Sequence, residues 1–142
     1  MEPVPFFPAQ PPFDRLAAGM PRGDAAFIHQ HVVDPWAAHT AGTGTRPIGL
    51  TFALVGLYLL AEHGWTGRRV QLAHMKLARQ KHEWPAFVLP EDRGAMTALD
   101  VMGAPEGPER DRAIHGWSRS VWAAFSENRA TVAELLKQHG II

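Results

Sequence analysis

Within the eleven residues HQHVVDPWAAH, numbered 29 to 39, stand three of the chain's eight histidines, one aspartate and one tryptophan. Imidazole and carboxylate are the side chains that hold borderline divalent ions, and imidazole also moves protons near neutral pH. His29, His31, Asp34 and His39 are therefore the candidate ligands for Zn, Ni or Fe. A bound ion would lower the pKa of a water or polarise a carbonyl, with Glu62 or Glu83 as a proton carrier. The chain has no cysteine, so thiolate ligation, disulfides and a cysteine nucleophile are all excluded.

Helical geometry limits what the cluster can do. Residues two apart on a helix point nearly opposite ways, so His29 and His31 cannot grip one ion together without irregular backbone. His31 and Asp34, three apart, share a face and form either a two-point grip or a hydrogen bond. His29 and Trp36 share another. Pro35 has no N–H for the carbonyl of His31 and crowds it, so a kink or a restart of the helix is expected there. On a restart Asp34 becomes the N-cap and Pro35 the first helical residue, a structural role as well supported as a ligand role.

The elements that must position these groups read as helices. Asp24 can cap a first helix of about residues 25–40 with Phe27, Ile28 and Val32 on its apolar side. Pro47 opens a second, which Gly64 closes. A third runs from about Arg68 to Lys81 with Val70, Ala73, His74 and Leu77 on one face. The stretch from Glu83 to Gly94 is too apolar for a free loop and is expected to pack across the helices. Thr97-to-Asp100 matches a capping box for a short helix. From Glu109 onward Ile114, Trp117, Val121, Phe125, Val132 and Leu135 recur at helical spacing, with a break expected at Ser126 or Asn128. No segment demands a strand. The fold class is thus an all-α helical bundle of four main helices with short extra ones, a single domain over residues 23–142. It is preceded by a proline-rich extended arm over residues 1–22, where six of the twelve prolines fall.

In a bundle, ligands come from facing helices, so His29 or His31 would be joined by His74 and His115. His74 is either a hydrogen-bonded core residue or points into an internal site. His63 and His139 precede helix-ending glycines and suit the helix dipole; His82 reads as a surface residue. Gly49, Ala53 and Gly56 form a stripe without bulk on the second helix, serving close packing or a groove. A ligand pocket would be lined by Trp36, His74, Trp117 and Trp122.

Charge excludes more. Lys+Arg and Asp+Glu are 14 each, which leaves no net field toward nucleic acid or an acidic membrane, although a local patch is compatible with that sum. The longest apolar run, Ile48 to Ala61, is shorter than the ~20 residues of a membrane span. The start of the chain lacks a secretory pattern, and the chain reads as a cytoplasmic protein of bacterial type without nucleic-acid or membrane partners. Three functions compete: a metal-dependent bundle acting on a small molecule, a metal-free small-ligand or acid–base site, and a homodimeric interaction module built from the arm and apolar faces.

Several segments together resemble a bacterial family that carries only a domain-of-unknown-function label. They are His29, Gln30, Val33, Asp34 and Trp36; Leu54 to Leu57; Trp84-Pro85; Thr97 to Val101; Val121 to Phe125; and Ala130 to Val132. The resemblance runs over about residues 25–138 and implies no activity. Members tend to begin with a cysteine-containing knuckle and to carry histidines where this chain has Ala53 and Arg129. A histidine from each of three helices would resemble the metal triad of DinB-like bundle proteins; here two of those positions hold no ligand.

Overall fold

The structure, a computed structural model, describes residues 28–80 and 83–142. The expected arm, the Asp24 cap and His82 lie outside the described residues. Among those described, the chain is an all-α bundle: α1 (Gln30–His39), α2 (Pro47–His63), α3 (Gly67–Ala78), a short α4 (Ala98–Met102), α5 (Pro108–Ala124), a 3-10 turn (Ser126–Asn128) and α6 (Arg129–Gln138). The long apolar pattern after Glu109 is thus two helices, broken over the two positions flagged by sequence.

The apolar 14-residue run makes α2 the central element. Every residue from Gly49 to Leu60 except Phe52 is buried, and α1, α3, α5 and α6 all pack against it. Pro47 starts it at N1, where its missing N–H costs nothing. Gly64, at φ 66°, ends it in the left-handed conformation open to glycine, and the N–H groups of Gly64 and Trp65 turn back to the carbonyls of Leu60 and Leu59. No helix among the described residues is long and apolar enough to cross a membrane.

The hydroxyl of Thr66 caps α3 by accepting from the Arg69 N–H. Thr97 and Asp100 form the expected capping box on α4, each side chain taking the other's backbone N–H. The stretch between α3 and α4 is extended and lies on the bundle, with Trp84, Phe87 and Leu89 against the core. Asn128 accepts from the Val88 N–H at 2.8 Å and donates to the Val88 carbonyl at 2.9 Å. Arg93 donates to the carbonyls of Pro90 and Ala38, and its guanidinium stands 5.2 Å from the ring centroid of Phe125.

The first helix differs from the sequence expectation in one informative way. It runs unbroken through Pro35, so Asp34 is neither an N-cap nor the start of a new helix. The carbonyl of His31, which Pro35 cannot serve, accepts a hydrogen bond at 3.1 Å from the hydroxyl of Ser118 on α5. With that donor in place the buried carbonyl costs little and the helix has no reason to end.

Candidate functional site

Asp34 is 3% exposed, on the side of α1 that faces α2. Gln30, one turn earlier, donates from Nε2 to its Oδ1 at 2.9 Å. The other carboxyl oxygen, Oδ2, is buried with no hydrogen-bond partner among the described residues. Space for the group exists because residue 56 of α2 is glycine: a Cβ there would collide with the Asp34 carboxyl. Burial pushes the Asp34 carboxyl well above the ordinary carboxylate range, against the smaller opposing effect of Gln30, so the neutral acid is favoured. Among the described residues no cation pairs with it to offset the desolvation of an ionised carboxylate.

One turn back, His31 is also buried and points toward the ends of other helices. Its Nε2 donates to the carbonyl of Trp65 at 3.1 Å, between α2 and α3. Its ring meets that of His115 on α5 edge-on, with centroids 5.2 Å apart. His115 is half-buried, and burial followed by the charge of Arg119 lowers its pKa. Its Nε2 and the indole Nε1 of fully buried Trp117 are further buried polar atoms without a hydrogen-bond partner among the described residues. The contact between α1 and α5 thus holds two imidazoles and the Ser118 hydroxyl, and the Asp34 carboxyl lies on the same helix α1 where it faces α2, groups able to donate, accept or pass a proton.

The remaining candidates lie elsewhere. His39 ends α1, eight residues and therefore roughly 12 Å along the axis from His31, too far to share an ion; burial and then Arg93 lower its pKa. His29 stands at the N-terminal boundary of α1, its pKa lowered by burial. Among the described residues no three His, Asp or Glu side chains gather to hold a metal. The four candidate ligands of α1 are accordingly not brought to one point.

Of the four pocket candidates, His74 and Trp122 are held at different places along α2. His74 donates from Nε2 to the Phe52 carbonyl at 2.8 Å and stacks on the Phe52 ring at 4.9 Å, the arrangement of a satisfied core histidine. Burial lowers its pKa to about 4. Trp122 donates from Nε1 to Glu62 at 2.8 Å and meets Tyr58 edge-on. Phe52 and Glu62 are ten residues apart, roughly 15 Å along α2. Trp36 and Trp117 are buried, from α1 and α5. Glu62 also pairs with Arg129 at 2.7 Å, which makes it a tie between α2, α5 and α6 rather than a free proton carrier. Glu83 is exposed at the start of the connector. Ala53 is a core methyl and Arg129 pairs with Glu62, so neither position offers a ligand.

Two members of the site gave only faint signals in sequence. Gly56 belonged to the small-residue stripe, but nothing local said that a carboxyl would fill the space. Ser118 sits among the apolar residues of α5, where a buried hydroxyl needs a partner; the orphan carbonyl before Pro35 was that partner.

No curated protein and no solved structure matches the chain. The sequence from residue 13 to residue 126 does match the family of unknown function DUF5946, a span that contains α1 to α5 and every residue of the α1–α5 seam. This chain, with its buried Asp34 and its His31–His115 pair, belongs to the DUF5946 family.

Proposed function

We propose that this protein binds a small polar molecule where α1 packs against α2 and α5, without a metal, with Asp34 as a neutral hydrogen-bond donor and His115 as acceptor or base. The observation that carries this reading is the burial of Asp34 with one carboxyl oxygen unpartnered among the described residues, when buried polar atoms are ordinarily satisfied. A neutral acid and the His115 imidazole, its pKa lowered by burial, make a donor–acceptor set without net charge, suited to an amide, alcohol or carbonyl compound. Thermal-shift screening of small amides, alcohols and carboxylic acids against the wild type, Asp34→Ala and His115→Phe tests it. A ligand should raise the melting temperature of the wild type alone. Equal shifts in all three proteins, or none in the wild type, would refute the reading.

A divalent ion (Zn, Ni or Fe) is the second reading. Its support is the 5.2 Å separation of the His31 and His115 rings, drawn from two facing helices. Metal analysis of the purified protein decides it: stoichiometric metal, lost in His115→Phe, would favour the ion over the metal-free site.

A further inference from the structure

The chain is neutral as a whole, yet its cations are not evenly spread. From residue 64 to residue 80 the sequence contains Arg68, Arg69, Lys76 and Arg79 and no acid at all. All four are exposed, on or directly after α3. None of them forms an ion pair among the described residues; the two ion pairs there are Arg110–Glu106 and Arg129–Glu62. Instead Arg68 donates to Gln71, Arg69 lies 3.9 Å over the Trp65 ring and Lys76 reaches the carbonyl of Gly140.

Two of these cations are badly placed for folding. Arg68 and Arg69 occupy the first turn of α3, which has no acidic residue, so they oppose the positive end of the helix dipole. On the same outer stripe stand Leu72 and Met75, 49% and 43% exposed. At about 100° per residue, Arg68, Leu72, Met75 and Arg79 fall within about 60° of one another. The opposite face, with Val70, Ala73, His74 and Leu77, is buried. The outer face therefore presents two apolar side chains between cations at both ends.

We propose that the outer face of α3 docks on an anionic lipid surface, with Leu72 and Met75 entering the headgroup layer and Arg68, Arg69, Lys76 and Arg79 pairing with its negative charges. Charge complementarity selects an anionic partner. The exposed leucine and methionine select lipid over nucleic acid, since apolar side chains gain nothing against a phosphate backbone. Size selects lipid over a protein: the face is about 17 Å long and about 10 Å wide, far below the ~800 Å² that each partner contributes to a standard interface. A lipid surface requires neither area nor matching shape. This contact is peripheral, and it is independent of the site where α1 packs against α2 and α5.

Flotation of the full-length protein with vesicles of phosphatidylcholine alone, or of phosphatidylcholine mixed with phosphatidylserine, tests the proposal. The wild type should partition at least about a hundredfold better into the mixed vesicles at low salt, and Arg68→Gln with Arg69→Gln should lose roughly thirtyfold of that. Leu72→Ser with Met75→Ser should also weaken it. Circular dichroism confirms that both double variants keep their helices. Equal partition into both vesicle types, or no loss in the arginine variant, overturns the proposal. So does binding to duplex DNA as strong as to vesicles and unchanged in the Leu72→Ser, Met75→Ser variant, because the face would then read polyanions of any kind.

Discussion

The hydroxyl of Ser118 donates to the carbonyl of His31, the carbonyl that Pro35 leaves without its helical donor. A serine on α5 thereby completes the hydrogen bonding of α1 and holds the two helices at the height where His31 and His115 meet. Ser118→Ala should strand a buried carbonyl and cost about 1–3 kcal/mol. Pro35→Ala restores a local donor, so the double variant should recover most of that loss. Denaturant unfolding of the four proteins measures the coupling; additive effects would mean that the serine does not serve the proline's orphan.

Gly56 and Asp34 form a second coupled pair. Gly56→Ala is expected to destabilise the fold by about 1–3 kcal/mol, despite alanine's better helix propensity, because its methyl group meets the Asp34 carboxyl. In an Asp34→Ala background the same change should be close to neutral or stabilising. A melting temperature that falls equally in both backgrounds would show that Gly56 serves something other than the carboxyl.

The buried carboxyl should also leave a mark on the pH dependence of stability. The fold holds the Asp34 proton more tightly than the unfolded chain does, whose carboxyl titrates near 3.8. As pH rises through that value the unfolded chain releases its proton and the fold does not, so this contribution to stability falls until the folded pKa is passed. Asp34→Asn, which retains a partner for Gln30, should therefore be more favourable relative to wild type at pH 7 than at pH 3.5. Parallel stability curves for the two proteins would contradict this.

His74 works in the opposite direction over a neighbouring window. Its pKa is about 4 in the fold against 6.5 in the unfolded chain. The stabilisation is present above pH 6.5 and is lost as pH falls toward 4, on the order of 3 kcal/mol in all. His74→Leu should flatten the stability profile between those limits. Urea titrations at several pH values read this slope, and an unchanged slope would place the acid sensitivity elsewhere.

The helices were legible because their signals are local. Pro47 and Gly64 bound α2 from within the sequence, Thr97 and Asp100 announce α4 three residues apart, and Ile114 to Leu135 repeat at helical spacing. Asp34 shows where such reading stops. Asp-Pro on its own suggests a cap, and only a serine 84 residues further on, with a glycine on a third helix, makes it a buried acid inside a continuous helix. The same holds for the histidines. Spacing along α1 carries no information on which imidazole another helix will bring to His31, and His115 rather than His74 is the one that arrives.

One fastening remains, between Asn128 and the connector. The amide of Asn128 grips both backbone polar groups of a single residue, Val88, whose side chain is itself 53% exposed. The connector is thus fastened by its length and not by its spelling. Substitutions at position 88 other than proline, which lacks the clamped N–H, should pass unnoticed, whereas deleting or inserting one residue between Trp84 and Val88 would force a choice between the amide clamp and the packing of the tryptophan.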